Sequence, residues 1–458
     1  MSSNENENEN INYSKLSKDL SKLINKNDKK NEGIFFTPPT IINKTFKIVE
    51  SYISNIKTVL EPSCGSCEYI DLLNKKYDNH FDKVIGIEMN KTIYDKVKTL
   101  FNDTNNNNNN IQIIKDDFLK FHNSINDYDL ILGNPPFYVM KMALFKETYE
   151  DYENYCEYFD GRPNIFILFI IKSLTLLKQN TGILSFVLPK NFLNCLYYDK
   201  LRNYIYNKFT IIDIVDCYED KFIDTQQDTI LFIVQNKLPY NIINNTNSDE
   251  TNNETNINDK YVLKKVKNYT IFNTVENIKK LTKLYENGKT LNDLNFIVSV
   301  GNVVWNQCKS ILIDEKLFKE EKNKENNKLA RLIYNSDITN NKLEMASFKN
   351  EQKKHFIKKY GATDIILVIN RGYGKGDYKF NYCLIDINTP YLVENHLICI
   401  KYNSKQNTEK KKQYVRTIYK KIIKSLISDK TKQFIKLYFC NNAINTSELN
   451  NVIPFYGL

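Results

Sequence analysis

The sequence predicts a doubly wound α/β fold with a mostly parallel sheet of seven strands, followed by a smaller α+β domain. Between about Lys57 and Asn236, short apolar runs rich in β-branched residues alternate with longer amphipathic stretches. The apolar runs do not alternate with polar residues, which is typical of parallel strands covered on both faces. Acidic or other special residues follow the first four runs, at the sheet edge where such folds bind ligands.

The predicted strands are short runs bounded by turn residues. They are Thr58–Leu60, Val84–Ile87, Ile111–Ile114, Tyr128–Leu132, Ile183–Leu188, Thr210–Val215 and Thr229–Val234. Helical periodicity between them predicts helices that include Asn90–Leu100, Asn164–Leu177 and Tyr198–Lys208. The last two strands are joined by a segment without a clear helical pattern. We therefore expect the sheet to finish with an antiparallel pair.

The ends of the first four strands predict one ligand site. The first strand runs into Glu61-Pro-Ser-Cys-Gly65, a tight turn where a ligand can approach the backbone at a helix N-terminus. Glu88 ends the second strand, placed to accept hydrogen bonds from a ribose diol. Asp117 follows the third strand and Asn134 follows the fourth. A single carboxylate after a strand is usually a helix N-cap, but four such ends in sequence order indicate a nucleoside site.

The fourth strand ends in the most informative motif of the chain, Asn134-Pro135-Pro136-Phe137. Two consecutive prolines fix two φ angles and remove two backbone donors, and the residue before them is pushed into an extended conformation. The loop therefore offers carbonyl oxygens and one side-chain amide at defined positions. Such a loop suits a planar substrate that carries an amino group. The alternative is a turn that merely ends a buried strand.

Composition limits the class of protein. A chain of 458 residues predicts roughly two to three domains. Its 41% hydrophobic and 26% charged residues are ordinary for a globular protein with a full core. The net charge of +10 is compatible with a polyanionic partner, although charge alone is weak evidence.

The nine cysteines and four histidines predict no metal site. Only Cys64 and Cys67 have Cys-x-x-Cys spacing, and no second pair completes a zinc site. We expect reduced, mostly buried cysteines and hence a soluble, cytoplasmic protein. We expect no signal peptide and no transmembrane segment, because no apolar run has the length or position that either requires.

These motifs resemble the gamma class of adenine-N6 DNA methyltransferases, the family of the TaqI modification enzyme, and they occur in the family's order. The resemblance rests on Phe36-Thr37-Pro38-Pro39, Glu61–Gly65, Glu88, Asp117-Phe118, Asn134–Phe137, Gly182–Pro189 with Lys190-Asn191, and Phe222 with Gln226–Thr229. It covers Gly33 to about Gln235. It implies a Rossmann-like class I methyltransferase domain, a methyl donor and a base flipped out of duplex DNA.

The family's site residues carry over onto matching positions. The resemblance implies S-adenosylmethionine as the cofactor, bound by Thr37, Glu61, Ser63, Gly65, Glu88, Met89, Asp117, Phe118, Asn134 and Pro136. It implies catalysis by Asn134, Pro135, Pro136, Phe137 and Phe222. The side-chain oxygen of Asn134 and the carbonyl of Pro135 would accept hydrogen bonds from the adenine amino group. Phe137 and Phe222 would stack on the two faces of the base. No metal is expected.

Cys67 departs from the family pattern, which has glycine at this place in the cofactor loop. Glycine adopts a positive φ without steric cost and cysteine does not. We therefore expect a reshaped loop, weaker cofactor binding or a degenerate copy as the possible consequences of Cys67.

The sequence predicts four segments. They are a disordered polar tail over 1–30, the catalytic domain over 31–240, an Asn-rich insertion and linker over 241–290, and a target-recognition domain over 291–458. The candidate DNA-binding residues are Lys190, Trp305, Arg371, Lys411, Arg416 and Lys420. The helical spacing of Val415, Ile418, Ile422 and Leu426 predicts a buried stripe with lysines outside. That basic face could equally be a solvated face, and the Gly-rich loop at Arg371 a hairpin turn.

Other functions remain open at this point. Asn-Pro-Pro-aromatic loops also occur in methyltransferases that act on glutamine side chains or on RNA, but these usually lack the Thr-Pro-Pro motif and a long C-terminal domain. A decayed, non-enzymatic DNA-binding relative is the next alternative, and no acidic cluster supports a fused nuclease. We expect duplex DNA as the partner, no membrane and a monomeric protein. A separate cognate restriction endonuclease is a further partner that the family admits.

Overall fold

The structure is a computed structural model, and it describes residues 13–101, 110–122, 127–243, 253–263, 269–321, 328–370, 380–439 and 444–458. These residues form two compact units. The first extends to Ile278 and the second begins at Lys279. None of the helices in the described ranges has both the length and the apolar character that crossing a membrane requires.

A seven-stranded sheet forms the centre of the first unit. Its strands are β1 (Thr58–Glu61), β2 (Lys83–Glu88), β3 (Ile111–Lys115), β4 (Leu130–Gly133), β5 (Ile183–Pro189), β6 (Thr210–Asp216) and β7 (Thr229–Gln235). Their spatial order is β3-β2-β1-β4-β5-β7-β6. The first five are mutually parallel, and β7 is antiparallel to both β5 and β6. The predicted doubly wound fold and its antiparallel finish are confirmed.

Helices flank the strands along the chain. They are α1 (Lys15–Leu23), α2 (Lys26–Glu32), α3 (Pro39–Val49), α4 (Glu68–Lys76), α5 (Lys91–Phe101), α6 (Met142–Thr148), α7 (Glu153–Cys156), α8 (Ile165–Leu176), α9 (Asp199–Lys208) and α10 (Val275–Tyr285). Successive strand residues enter different buried clusters, as Val59 and Leu60 do. Because side chains alternate across a strand, these clusters are the cores on the two faces of the sheet.

The strand β4 begins later than predicted, at Leu130 instead of Tyr128. Tyr128 makes only an isolated bridge with Leu177. The side chain of Asp129 accepts hydrogen bonds from the backbone N–H groups of Lys57 and Thr58, at 2.9 and 3.0 Å. Asp129 therefore fastens the start of β1 with its side chain.

The polar tail predicted over residues 1–30 is wrong from residue 15 onward, where α1 and α2 form. Ser14 caps α1 through its side chain, which accepts a hydrogen bond from the backbone of Ser17. The Ser14 N–H donates to the buried Glu68 at 3.0 Å, and Leu20 is buried. Tertiary contacts thus order a segment whose composition suggests disorder. Residues 1–12 lie outside the described part.

The linker predicted over residues 241–290 also contains regular structure. The strands β8 (Tyr240–Ile243) and β9 (Asn253–Asn256) pair antiparallel, and β10 (Val262–Leu263) pairs with β11 (Ile271–Phe272). Asn258 is fully buried and bonds three backbone groups of the first unit, at Tyr206, Phe209 and Ile211. Because its amide replaces backbone partners, this Asn-rich stretch has a structural role that its composition does not reveal.

The second unit is α+β, as predicted. One sheet has the order β12-β21-β18-β19 and another the order β13-β17-β14-β20. The strands are β12 (Phe296–Val300), β13 (Leu312–Ile313), β14 (Ala330–Ile333), β15 (Ile338–Thr339), β16 (Lys342–Leu343), β17 (Phe356–Ile357), β18 (Ile366–Asn370), β19 (Tyr382–Ile385), β20 (Tyr391–Val393) and β21 (Leu397–Tyr402). The helices are α11 (Glu315–Glu321), α12 (Glu409–Leu426), α13 (Asp429–Tyr438) and α14 (Thr446–Asn451).

The buried face of α12 differs by one residue from the predicted stripe. Val415, Ile422 and Leu426 are buried as predicted, whereas Ile418 is half-buried and Tyr419 occupies the core. The Tyr419 hydroxyl donates to the carbonyl of Ile400 at 3.0 Å, so its polar atom is satisfied inside. A periodicity of apolar residues alone does not anticipate a buried tyrosine.

Candidate active site

A cavity opens at the carboxyl ends of β1, β2, β3 and β4. Eight of its lining residues are ones that the sequence predicts, namely Ser63, Gly65, Glu88, Met89, Asp117, Phe118, Asn134 and Pro136. Residues that sequence reasoning missed also line it, among them Glu32, Ile34, Phe35, Asn90, Tyr138, Tyr149 and Phe169. Four strand ends and the segment between α2 and α3 therefore form one chamber.

Glu88 lies buried in the wall of this cavity. Its carboxylate accepts the backbone N–H of Gly65 at 2.9 Å and that of Asn90 at 2.6 Å. Burial raises the pKa of Glu88 to about 7, and the nearby Glu32 contributes in the same direction. The two backbone donors oppose that rise and fix the orientation of the carboxylate. Near neutral pH, Glu88 is thus an oriented acceptor that readily gains or loses its proton.

Glu32, at the end of α2, is linked to Glu88 by Asn90, which donates a hydrogen bond to each of the two carboxylates. The Asn90 side-chain amide donates to the Glu32 carboxylate at 2.8 Å. Gly33 follows in the left-handed conformation, with φ of 68°. A Cβ at Gly33 would lie 2.7 Å from the backbone nitrogen of Phe137. Glycine is required here because the N-terminal segment passes directly against the Asn-Pro-Pro-Phe loop.

Asn134 presents an acceptor that has no partner. Its side-chain amide nitrogen donates to the backbone carbonyl of Phe35 at 2.9 Å. The Ser63 hydroxyl donates to the backbone carbonyl of Asn134 at 3.1 Å. Because a carbonyl only accepts, the bond to Phe35 fixes which way the amide points. The side-chain oxygen of Asn134 is buried, with no hydrogen-bond partner among the described residues. A buried acceptor left unpaired costs about 1–3 kcal/mol, which a donor on a ligand would recover.

Asp117 and Phe118 form the wall at the end of β3. One carboxylate oxygen of Asp117 accepts the backbone N–H of Leu119 at 3.0 Å, and the other accepts the Tyr149 hydroxyl at 3.1 Å. The Phe118 ring packs against Phe169, with ring centroids 4.9 Å apart. Tyr149 orients Asp117 from a distant part of the chain, so no local motif signals it.

Thr37 and Glu61 are buried and do not line the cavity. One oxygen of the Glu61 carboxylate has no hydrogen-bond partner within the described ranges. Burial, reinforced by the charges of Glu88 and Glu68, raises the pKa of Glu61 well above its ordinary value.

Cys67 adopts the left-handed conformation that glycine would take, with φ of 58° and ψ of 29°. For a residue with a Cβ, this conformation costs about 1–2 kcal/mol. Its backbone N–H donates to the Cys64 carbonyl at 2.7 Å, and α4 begins directly after it. The loop thus keeps a glycine-like backbone in spite of the cysteine.

The two aromatic residues assigned to base stacking lie apart from the cavity lining. Phe137 is half-buried, with its ring edge-on to Phe166 at a centroid distance of 5.9 Å. Phe222 is 8% exposed and belongs to a buried apolar cluster that includes Phe36. Pro135 is buried between the two lining residues Asn134 and Pro136.

The loop that carries Phe222 is held by what we term the N-terminal clamp, the contacts of residues 13–44 with residues 217–228. Lys29 forms an ion pair with Asp224 at 2.7 Å, and Lys44 forms one with Asp220 at 2.6 Å. The Tyr13 hydroxyl donates to the Lys221 carbonyl at 3.1 Å. These contacts fasten the loop on both sides of Phe222.

Breaking the clamp should destabilise the first unit. Asp224→Ala leaves the ammonium of Lys29 buried without its anionic partner, and removing one member of a buried pair costs up to about 3–5 kcal/mol. Asp224 is 26% exposed, so we expect about 2–3 kcal/mol in the free energy of unfolding. Asp71→Ala breaks the exposed pair with Lys75 and should cost less than about 1 kcal/mol. Chemical denaturation of both variants tests the difference, and equal costs would contradict it.

The predicted DNA-binding residues have different environments. Lys190 forms an ion pair with Asp216, and the Arg416 guanidinium pairs with Asp386 at 2.6 Å and also with Glu409. Trp305 is half-buried in the second unit. Lys411 and Lys420 are exposed on α12. Arg371 lies outside the described residues.

The described part of the chain contains no group of three or more His, Cys, Asp or Glu side chains that could hold a metal ion.

Residues 3–223 match a family model described as the Eco57I restriction-modification methylase. The type II methyltransferase M.CvrRI of Paramecium bursaria Chlorella virus XZ-6E is 24% identical over 96% of this chain and 98% of its own length. These matches show that the chain is similar to methyltransferases of the restriction-modification type. The modification methylase CviBIII of Paramecium bursaria Chlorella virus NC1A is 28% identical to it over 49% of this chain and 55% of that protein.

Solved structures resemble this chain at lower identity. The cryo-EM structure of a DrdV–DNA complex covers 96% of this chain and 57% of its own, at 14% identity and a TM-score of 0.47. A type I restriction-modification methyltransferase subunit from Streptococcus thermophilus covers 54% of this chain and 52% of its own, at 19% identity and a TM-score of 0.36. The fold of this chain rests on the strand order given above.

Proposed function

We propose that the chain is a site-specific DNA methyltransferase that transfers a methyl group from S-adenosylmethionine to the N6 amino group of a flipped-out adenine. The observation that carries this proposal is the unpaired side-chain oxygen of Asn134 beside the cavity. It is an acceptor of fixed direction, and an amino group is the donor that suits it. The restriction-modification relatives support DNA as the substrate.

The residues of the cavity fit the proposed cofactor. The oriented carboxylate of Glu88 would accept hydrogen bonds from the ribose hydroxyls, and Asp117 with Phe118 would contact the adenine ring. The other proposed contacts in the cavity lining are Ser63, Gly65, Met89, Asn134 and Pro136. Thr37 and Glu61 are proposed contacts as well, from buried positions outside that lining. When bound, the cofactor supplies an electrophilic methyl group on a sulfonium. No metal takes part in this proposal.

The chain's own contribution to transfer is positioning. Asn134 and the carbonyl of Pro135 would accept both hydrogens of the adenine amino group and aim its lone pair along the line of attack. Phe137 would stack on one face of the base and Phe222 on the other. Held in this way, the amino nitrogen would take the methyl group as the sulfur–methyl bond breaks. The sulfonium would become a neutral thioether, and the methylated nitrogen would release one proton to water.

We propose that residues 31–240 form the catalytic domain and residues 291–458 the target-recognition domain. The net charge of +10 suits a polyanionic partner. The proposed DNA contacts are Lys190, Trp305, Arg371, Lys411, Arg416 and Lys420. Arg416 and Lys190 would have to exchange a carboxylate for a phosphate. Action as a monomer, and pairing with a separate endonuclease, are part of the same proposal.

The test is methylation of unmodified duplex DNA by the purified chain with labelled S-adenosylmethionine. We expect N6-methyladenine at one recurring sequence, mapped by modification-sensitive sequencing. A glutamine-bearing peptide and ribosomal RNA serve as competing substrates. If the peptide or the RNA is labelled and duplex DNA is not, the chain is a protein or RNA methyltransferase and the DNA proposal is refuted. Methylated cytosine in its place would refute the adenine assignment.

Binding of the cofactor should depend on pH through Glu88. Its pKa in the structure is about 7, and ribose hydroxyls donate to the ionised form. The affinity for S-adenosylmethionine should therefore rise with pH up to about 7 and then level off, with one proton released on binding at acidic pH. Calorimetry from pH 5.5 to 8.5 measures this (the range is about 1.5 pH units either side of 7). Glu88→Gln should flatten the profile, and a flat profile in the wild type would contradict it.

A further inference from the structure

A polar cleft in the second unit has no part in the site described above. Its lining includes Trp305, Asn335, Lys353, Asn370, Glu394 and His396. Asn335 follows β14, Asn370 ends β18, and Glu394 with His396 lies between β20 and β21. Ends of strands from both sheets of the unit therefore meet at the cleft. That arrangement gives its side chains rigid supports, as a specific binding site requires.

Lys353 brings a positive charge to this cleft. Its ammonium lies over the ring of Tyr334 at 4.1 Å from the centroid, over Phe348 at 4.8 Å and over Trp305 at 5.8 Å. Among the described residues, no carboxylate forms an ion pair with Lys353. Aromatic faces attract a cation but leave it able to accept an anionic or carbonyl ligand. The cleft thus favours a ligand with electronegative atoms at this point.

His396 adds an acceptor whose position is fixed. Its backbone N–H donates to the Glu394 carboxylate at 3.1 Å, and its ring Nδ1 is also in contact with that carboxylate. Because a carboxylate only accepts, Nδ1 carries a hydrogen, and Nε2 is the ring nitrogen left for a ligand. The His396 side chain is 66% exposed, while Glu394 beneath it is buried. When the ring is neutral, Nε2 accepts a hydrogen bond from a ligand that donates an N–H.

Trp305 supplies an aromatic surface in the same cleft. It is half-buried and is the one tryptophan of the chain. Two ammonium groups, of Lys309 and Lys353, flank its ring at 5.9 and 5.8 Å. An aromatic surface, cations and oriented amide and imidazole groups together match a nucleotide: a flat base, a phosphate and hydrogen-bonding edges.

We propose that this cleft binds a nucleotide of the DNA substrate outside the methylated adenine and reads its base. His396 accepts a hydrogen bond from the exocyclic amino group of adenine or cytosine, the donors that these bases present in the major groove. Lys353 contacts a phosphate or a base acceptor, and Trp305 packs against the nucleotide. His396 is accordingly a specificity-determining residue. The inference rests on the proposed function, since it takes DNA as the substrate.

The first experiment uses the single tryptophan as a reporter and needs no catalysis. Duplex DNA carrying the target sequence should change the fluorescence of Trp305 in the full chain, whereas S-adenosylmethionine alone should not. Lys353→Met should weaken DNA binding roughly tenfold, as about 1.4 kcal/mol would. Lys349→Ala removes the same charge from an exposed position nearby and is the matched control, with less than a twofold effect. Unchanged Trp305 fluorescence on saturation with DNA would overturn the inference.

The second experiment tests whether His396 reads a base of the DNA. His396→Ala should relax the sequence preference at one position of the methylated site, seen as additional methylated sequences in modification-sensitive sequencing. S-adenosylmethionine binding should stay as in the wild type, because His396 lies in the other unit. Thermal unfolding measures separately what the loss of the contact with the buried Glu394 costs. The same methylated sequences and rates as the wild type would overturn the inference.

The two failures are distinguishable. If the wild type methylates no DNA, the proposed function fails, yet the fluorescence titration still shows whether the cleft binds DNA. If the wild type methylates DNA and neither cleft variant alters binding or preference, only the inference about the cleft fails. If circular dichroism shows that Lys353→Met does not fold, the sequence preference of His396→Ala decides whether the cleft reads a base.

Discussion

Asn134→Ala should reduce methylation of duplex DNA by at least about 100-fold, the usual loss when one preorganised transition-state contact is removed. The physical reason is the single side-chain acceptor of Asn134, a residue that lines the cavity. This oxygen is buried and has no partner among the residues that the structure describes, so the proposed amino group would supply the missing hydrogen bond. Without it, the amino group keeps its resonance with the ring and its lone pair points away from the methyl group.

The same variant should still bind S-adenosylmethionine, weakened at most by the one contact proposed for Asn134, because Glu88 and Asp117 do not depend on the Asn134 amide. It loses one bond, from its amide to the Phe35 carbonyl, and about 0.5–1.5 kcal/mol of stability with it. Single-turnover kinetics, calorimetry and thermal unfolding separate these effects. Joint loss of cofactor binding and folding would mean that Asn134 is structural. Methylation at the wild-type rate would remove it from catalysis.

Glu88→Gln should weaken S-adenosylmethionine binding by about 1–3 kcal/mol, the range for hydrogen bonds that involve a charged group. That loss corresponds to roughly 5-fold to 150-fold in the dissociation constant. The amide keeps the size of the carboxylate but accepts at only one of its two terminal atoms. The backbone N–H groups of Gly65 and Asn90 then compete with the ribose for that single oxygen.

Calorimetry of the Glu88 variant needs a control at another glutamate of the same unit. Glu50→Gln serves, since Glu50 is 55% exposed and, within the described residues, forms an ion pair with Lys76 at 3.2 Å. It should bind the cofactor as the wild type does. Folding of Glu88→Gln should be preserved at pH 8, because burial already disfavours the charge of Glu88 there. Equal affinity of wild type and Glu88→Gln would exclude the ribose assignment.

The sheet could be predicted because its strands are buried on both faces, which leaves nearly continuous apolar runs such as Ile183–Leu188. The strand ends follow from the same runs, and so the sequence placed Glu88, Asp117 and Asn134 at one edge. A regular strand leaves a pattern in a short stretch of sequence. Because parallel strands place their carboxyl ends at one edge of the sheet, the residues that follow the strands come together there.

The remaining part of the site could not be predicted because it depends on contacts between distant segments. The Asn134 amide meets the Phe35 carbonyl across 99 positions, and Tyr149 orients Asp117 across 32. Neither contact leaves a repeating pattern or a characteristic spacing in the sequence. The helices α1 and α2 are mostly polar, and their ordering depends on partners such as Glu68 that no composition argument supplies.

The N-terminal clamp has a consequence for synthesis of the chain. Lys29 leaves the ribosome 195 residues ahead of its partner Asp224, and Lys44 leaves 176 residues ahead of Asp220. During that interval the nascent α2 and α3 lack the carboxylates that pair with Lys29 and Lys44 in the finished unit. Domains generally fold as units once their parts are available. The first unit therefore closes late, after the loop before β7 has emerged, and α2 and α3 reach their final contacts long after they are made.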